Sequence, residues 1–204
     1  MDGDARLRIT LLGAFQVSRG DAVVPVPGAR LRGLLVRLAL AGGRAVEPDV
    51  LVDAIWAEEP PSGPASALQT LVSRLRRALG SAGAVTQVTG GYRLDAADVD
   101  ALRFERLAAA GRERLRAGDP EGAGAALTEA VALWGDRPGA EPAVIAAVAP
   151  TVATRLAQVS TEAVADLAEA ELSLGRADAS AARLTGLLAD HPAHERAAAL
   201  LMDA

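Results

Sequence analysis

Apolar and polar residues alternate at the start of the chain. Leu7, Ile9 and Leu11 are separated by Arg8 and Thr10, the two-residue period of a strand with one buried face. Gly13 breaks the run and Phe15-Gln16-Val17 resumes it. Arg19-Gly20-Asp21 supplies a hairpin turn, and residues 22–26 make a third strand that Pro25 and Pro27 confine to an edge. The period then changes: Leu31, Leu34, Leu35, Leu38 and Ala39 recur at helical spacing as far as Gly42-Gly43. Residues 47–56 predict a second, short helix with Val50, Leu51, Ala54 and Ile55 inward. Glu47 and Asp49 fall in its first turn, where the helix dipole favours negative charge. Glu58-Glu59-Pro60-Pro61 ends it. Ser62 is placed to cap a third helix that has Pro64 in its first turn, runs to Leu79 and stops at Gly80. Residues 85–88 and 92–94 read as two strands joined through Thr89-Gly90-Gly91.

Residues 95–100 form an acidic joint, and beyond it the pattern is helical. Residues 101–117 end at Gly118-Asp119-Pro120, and 121–134 carry Ala123, Ala126, Leu127, Ala130 and Leu133 on an apolar face. A Pro/Gly-rich loop covers 135–142. Helices over 151–174, 178–189 and 193–202 follow, the last two separated by His191-Pro192. Strands, three helices and a closing hairpin are the parts of a winged helix. The remainder reads as antiparallel helix pairs with small residues at their contacts, suggesting a helical-repeat unit, although no fixed period recurs. The expected fold class is mixed: an N-terminal α+β winged helix-turn-helix over residues 1–96, followed by an all-α domain over 97–204.

The third helix has two unlike faces. Leu68, Val72, Leu75 and Leu79 form an apolar stripe, and the other side offers Ser66, Gln69, Thr70, Ser73, Arg74, Arg76 and Arg77. No acid occurs over residues 62–94. Such a surface suits a polyanionic partner. In a major groove, residues towards the N-terminal half of a helix meet base edges, here Ser66, Gln69, Thr70 and Ser73. Arg74, Arg76 and Arg77 lie further along and serve as phosphate clamps, while Thr89 and Arg93 in the hairpin reach an adjacent phosphate or the minor groove. The competing reading is a solvated basic face, since arginine at a helix C-terminus is favoured by the dipole anyway. The hairpin behind and the two helices in front favour duplex DNA.

Charge divides the chain in the same place. The net charge of −5 is unpromising for a DNA binder. Residues 1–94, however, carry 11 Arg against 8 acids, and residues 95–204 carry 10 against 18. A basic half before an acidic half implies two domains with different partners. Half of the residues are apolar and 23% are charged, an ordinary globular balance rather than a disordered one. Cysteine is absent, which excludes disulfides and thiolate metal sites. Lysine is absent and alanine and arginine abound, a bias of a GC-rich genome. Met1-Asp2-Gly3-Asp4 lacks the cationic and apolar regions of a signal peptide, and the apolar run 143–149 is far too short to span a bilayer. The expectation is a cytoplasmic, nucleoid-associated protein without membrane contact.

Catalytic chemistry finds no purchase. His191 and His194 flank an inter-helix turn beside Glu195 and read as structural caps rather than metal ligands. Gly122-Ala123-Gly124 lacks the third glycine and preceding strand of a dinucleotide loop. A phosphate loop would need a lysine, and no nucleophile elbow occurs. Asp98 and Asp100 read as a polar joint, and Trp56, Tyr92, Phe104 and Trp134 as core anchors. No cofactor and no enzyme activity are expected.

The runs Leu11-Leu12-Gly13, Ala54-Ile55-Trp56, the stretch 67–79 and Gly90-Gly91-Tyr92-Arg93-Leu94 resemble the Streptomyces antibiotic regulatory protein (SARP) family, whose DNA-binding half is similar to the OmpR-type output domain. Phe104-Glu105-Arg106-Leu107, Ala117-Gly118-Asp119-Pro120, Ala132-Leu133-Trp134, Leu174-Gly175-Arg176 and Asp190-His191-Pro192 resemble the bacterial transcriptional activation domain that follows in that family. The resemblance implies that this second domain is tetratricopeptide-like. It implies an activator of secondary-metabolite gene clusters that binds double-stranded DNA at direct-repeat promoter sites, two copies together, and recruits RNA polymerase and its sigma factor. Helices in family members continue past this length, so it also implies a fragment of a longer regulator. Leu71 sits where relatives often carry a polar or aromatic residue, and the loop 135–150 departs from the family pattern. The alternative is a protein-interaction module with degenerate DNA binding.

Overall fold

The elements follow in the order β1 (Leu7–Thr10), β2 (Gln16–Arg19), β3 (Ala22–Val23), α1 (Ala29–Leu40), α2 (Pro48–Trp56), α3 (Pro64–Ala78), β4 (Val85–Val88), β5 (Gly91–Leu94), β6 (Ala97–Val99), α4 (Asp100–Arg116), α5 (Pro120–Ala132), α6 (Ala143–Ala146), α7 (Pro150–Ser173), α8 (Ala177–Asp190) and α9 (Glu195–Met202). The computed structural model describes residues 6–204 apart from Glu58, Ala82, Ala96 and Asp136. The N-terminal Met1-Asp2-Gly3-Asp4 and Glu58 of the expected helix break lie outside the described residues. So do single positions of the acid-free stretch (Ala82), the acidic joint (Ala96) and the 135–142 loop (Asp136). Two compact units result, one of Met1–Leu102 with Glu141–Thr154, the other of Arg103–Ala140 with Arg155–Ala204.

In the first unit β1 keeps its alternation, burying Leu7 and Ile9 and exposing Arg8. It pairs antiparallel with β2, Ile9 opposite Val17, and the sheet order is β3-β2-β1-β6. The third strand is shorter than the expected 22–26. Only Ala22–Val23 pairs, at the edge, because Pro25 and Pro27 have no N–H to continue a ladder. β6 returns after the hairpin and lies parallel to β1, Leu7 opposite Ala97. α1 buries Leu31, Leu34, Leu35, Leu38 and Ala39, as its spacing demands. α2 is rolled differently from expectation: Leu51 and Val52 are buried while Val50 is 40% exposed. Three consecutive apolar residues left the roll open, and packing against both α1 and α3 settles it. α3 begins from Gly63 with no side-chain cap, so Ser62 does not fill that role. Residues 141–154 join this unit because α6 packs on α1, with Ile145 fully buried and Val148 seated over Gly33. A Cβ on Gly33 would stand 2.8 Å from the Val148 Cγ1 methyl.

The joint at Asp98 and Asp100 is a fastening. The Asp100 carboxylate accepts from the N–H groups of Leu11 (2.8 Å), Leu12 (3.0 Å) and Ala101 (2.7 Å). One side chain thereby holds the end of β1 to the start of α4 and supplies acceptors to a helix N-terminus. Burial pushes its carboxyl above the ordinary 3.8, against the pull of those three donors. Asp98, outside it, makes only a loose, exposed pair with Arg8.

In the second unit Phe104 meets Trp134 edge to face at 5.3 Å. Val164, Ala165, Ala168, Leu184, Leu187 and Ala197 form a second cluster of mostly small residues, which brings α7, α8 and α9 close together. Asp119 caps α5 through Gly122 N–H (2.9 Å), and His194 Nδ1 caps α9 through Ala197 N–H (3.1 Å). His191 is the C-terminal cap residue of α8. Trp134, Phe104 and Tyr92 are buried, whereas Trp56 is half-buried with the Arg30 guanidinium 5.9 Å above its ring. The 2% exposed Asp166 takes Arg112 Nε at 2.8 Å and Arg196 Nη1 at 2.6 Å. Arg196 also reaches Glu169 at 2.5 Å. Burial opposes the Arg196 charge, but Glu169 and Asp166 outweigh it and hold its pKa above the arginine range.

Asp166→Asn leaves both guanidinium groups short of their buried counter-charge, and should lower stability by about 2–3 kcal/mol in urea unfolding. The Asp100 carboxyl binds its proton more tightly folded than unfolded. Its contribution is complete below the unfolded pKa near 3.8 and is lost as pH rises through the folded pKa. Asp100→Asn cannot titrate, so the stability gap between wild type and variant should narrow as pH is raised across that window. A gap independent of pH would show that this carboxyl does not titrate differently on folding.

Candidate nucleic-acid interface

α3 is positioned by its apolar stripe. Leu68, Val72, Leu75 and Leu79 are each no more than 1% exposed, which leaves one arc of the helix in solvent. On that arc Ser66, Gln69, Thr70, Ser73, Arg74 and Arg77 are all exposed. Thr70 donates its hydroxyl back to the Ser66 carbonyl at 3.0 Å. Leu71 is buried at 6% exposure and belongs to the core side. The helix closes with paired reverse bonds, Gly80 N–H to the Arg77 carbonyl and Ser81 N–H to the Arg76 carbonyl, and Arg19 Nη2 donates to the Leu79 carbonyl at 3.2 Å.

The hairpin of β4 and β5 follows at once, with Val85 opposite Leu94 and Val88 opposite Gly91. Thr89 is exposed at its tip. A third backbone segment completes it: Val46 N–H donates to the Tyr92 carbonyl (2.8 Å) and Tyr92 N–H to the Val46 carbonyl (3.0 Å). Gly91 makes this possible. Its φ is +134°, and a Cβ there would lie 1.9 Å from the Val46 carbonyl oxygen.

Two of the singled-out arginines are engaged inside the unit. Arg76 is half-buried and its Nε donates to the Val85 carbonyl at 2.7 Å. Arg93 Nε lies 3.3 Å from Asp95 Oδ1, with Thr86 Oγ1 on the same oxygen. The structure thus gathers Ser66, Gln69, Thr70, Ser73, Arg74 and Arg77 on one exposed helical arc, with Thr89 on the hairpin beside that helix. Sequence reasoning passed over two exposed polar side chains near the hairpin: Gln87 on β4, and Arg44, two residues before the Val46 bridge. Strand alternation would have flagged Gln87; nothing local flags Arg44, because the Val46 pairing is non-local. Among the described residues no group of three or more His, Asp or Glu side chains is arranged to hold a metal, and no helix is long and apolar enough to cross a membrane.

Comparison with known proteins places two family domains on the chain. Residues 99–204 match the bacterial transcriptional activator domain, and residues 28–94 match the C-terminal domain of transcriptional regulatory proteins. The chain is 32% identical over 198 residues to the regulatory protein AfsR of Streptomyces griseus, covering 96% of this chain and 20% of that protein. It is 34% identical to the transcriptional regulatory protein EmbR of Mycobacterium bovis, covering 94% and 51%, and 31% identical to the regulatory protein DnrI of Streptomyces peucetius, covering 93% and 74%. The solved structure of Mycobacterium tuberculosis EmbR in complex with a low-affinity phosphopeptide superposes with a TM-score of 0.83 at 31% identity, over 98% of this chain and 54% of that one. The chain thus spans a fifth of AfsR and about half of EmbR. Winged helix and helical activator domain together are the parts of a transcriptional regulator. The chain belongs to the SARP family.

Gly91→Ala should lower stability by about 1–3 kcal/mol through the positive φ and break the Val46–Tyr92 pairing. Amide exchange at Val46 and Tyr92 should accelerate selectively; unchanged protection there would show that the connector tolerates a side chain.

Proposed function

We propose that this chain is the DNA-binding and activating part of a transcription activator, and that it reads duplex DNA with α3 in the major groove and the β4–β5 hairpin as the wing. Ser66, Gln69, Thr70 and Ser73 meet base edges, where Gln is suited to adenine and a Thr methyl to the thymine methyl. Arg74 and Arg77 grip phosphates, with Arg76 beside them. Thr89 and Arg93 bring the wing to the neighbouring backbone or minor groove.

One exposed arc carries the reading: cations and short polar side chains share it on a helix that itself holds no acid. Arg74 and Arg77 are exposed and make no ion pair or side-chain hydrogen bond among the described residues. Exposed arginines without a carboxylate partner also occur elsewhere on the chain, so it is their company on α3, with Ser66, Gln69, Thr70 and Ser73, that marks these two. Free cations beside short polar side chains are the complement of a phosphate backbone flanking base edges.

The N-terminal unit, whose sheet β6 completes at Val99, supplies binding. The helical domain matched over residues 99–204 supplies activation by recruiting RNA polymerase through its sigma factor, a role supported by family membership. Two copies occupy direct repeats near promoters of secondary-metabolite genes in the cytoplasm, on the nucleoid. A repeat spacing near one turn, about 10–10.5 bp, follows from that geometry.

Recovery of bound fragments genome-wide identifies the operator, and salt titration on that operator tests the contacts. Arg74→Ala and Arg77→Ala should each weaken all sequences alike and reduce the salt slope by about 0.9. Gln69→Ala should change the preference at one base pair by about 1–3 kcal/mol. Association that is indifferent to salt would instead identify a protein-interaction module.

A further inference from the structure

The two phosphate-facing arginines of α3 have a neighbour that is built differently. Arg76 is half-buried, and its Nε donates to the carbonyl of Val85, the first residue of β4, at 2.7 Å. Val85 itself is 0% exposed. Among the described residues this is the one hydrogen bond from an α3 side chain to the hairpin. It sits where a lever is most effective. The connection from Leu79 to Ala84 is short, and the wing's far end is held separately by the Val46–Tyr92 bridge at Gly91. The near end has Arg76 across the gap and Arg19 on the Leu79 carbonyl.

We propose that Arg76 is a positioning residue, which sets the angle between the reading helix and the wing and contributes no phosphate contact of its own. The proposal rests on the DNA-binding reading above. The short bond commits the guanidinium plane to the Val85 carbonyl, and a guanidinium is suited to this because its Nε–H is a fixed, directional donor on a rigid plane. An ammonium carries the same charge on a compact head with three rotating donors and cannot reproduce that geometry. Loss of the bond frees the root of the hairpin while leaving Arg74 and Arg77 in place.

Charge and geometry separate cleanly in a two-variant experiment on the full chain. Wild type, Arg76→Met, Arg76→Lys and the control Arg77→Ala are titrated with operator DNA across a salt series, and hydroxyl-radical footprints are taken at saturation. A positioning role predicts that Arg76→Met lowers specific affinity by about tenfold with an unchanged salt slope. Protection under the wing fades while protection under α3 persists, and Arg76→Lys rescues neither. A phosphate contact predicts the reverse: a slope reduced by about 0.9 in Arg76→Met and largely restored in Arg76→Lys. That result overturns the proposal, as does unaltered affinity in both variants. If Arg76→Met does not fold, Arg76→Lys alone decides, since it retains the charge and loses the directional bond. Arg77→Ala keeps the two levels apart. A wild type with no salt-dependent specific binding, and no effect of Arg77→Ala, would refute the DNA-binding reading itself.

Discussion

The roll of α3 about its own axis is the constraint on which the first unit depends. Leu68, Val72, Leu75 and Leu79 are almost completely removed from water, and each such burial stabilises by about 1.5–3 kcal/mol. A roll of one residue, roughly 100°, would swing a polar side chain into the core and a leucine into solvent. The apolar stripe therefore determines, without any contribution from the exposed residues, that Ser66, Gln69, Thr70, Ser73, Arg74 and Arg77 share one outward arc. α1, α2 and β4 supply the surface that receives the stripe. The hairpin takes its place from the end of the same helix and from the connector that pairs with Tyr92.

The helical unit is held by other means. Its core is rich in alanine, so helices approach closely but bury little area per residue. Charge pairing supplements that packing. Asp166 lies at the centre of a cluster joining Arg112 of α4, Glu162 and Glu169 of α7 and Arg196 of α9. Arg183 forks onto Glu171 with two bonds of 3.0 and 2.8 Å. The acidic excess of this half is thus partly internal structure.

Local periodicity carried much of this architecture. The alternation at Leu7 and Ile9, the helical spacing of Leu31 to Ala39, the α3 stripe, the stop at Gly80 and the hairpin around Gly90 all follow from residues within one or two turns of each other. Where the expectation failed, the deciding partner lay far away in the chain. Val50 and Val52 are indistinguishable by local pattern, and only the positions of α1 and α3 choose between them. Ser62 has the chemistry of a cap, yet Gly63 occupies the position. Asp100 looked like one acid in a polar joint because Leu11 and Leu12 are 89 and 88 residues away. The apolar run 143–149 reads locally only as too short to span a bilayer; that it forms α6 and packs on α1 depends on residues about a hundred positions earlier. In the candidate site, exposure of the outward arc was legible from the stripe, while the bond that holds Arg76 to Val85 was not. Its membership of the SARP family was legible in short runs such as 67–79 and 90–94, which lie within the matched 28–94 region.

The opposed faces of α3 have a consequence for how such a regulator diversifies. The residues that would choose a DNA sequence lie entirely outside the packing that makes the helix. Exchange among them leaves the apolar stripe untouched, and surface substitutions of this sort usually change stability by less than about 0.5 kcal/mol. Duplicated copies of the gene can therefore drift towards new promoters through single neutral steps, each one folding as well as its parent. Retargeting by design has the same freedom, provided that Leu71 is left on its inward side.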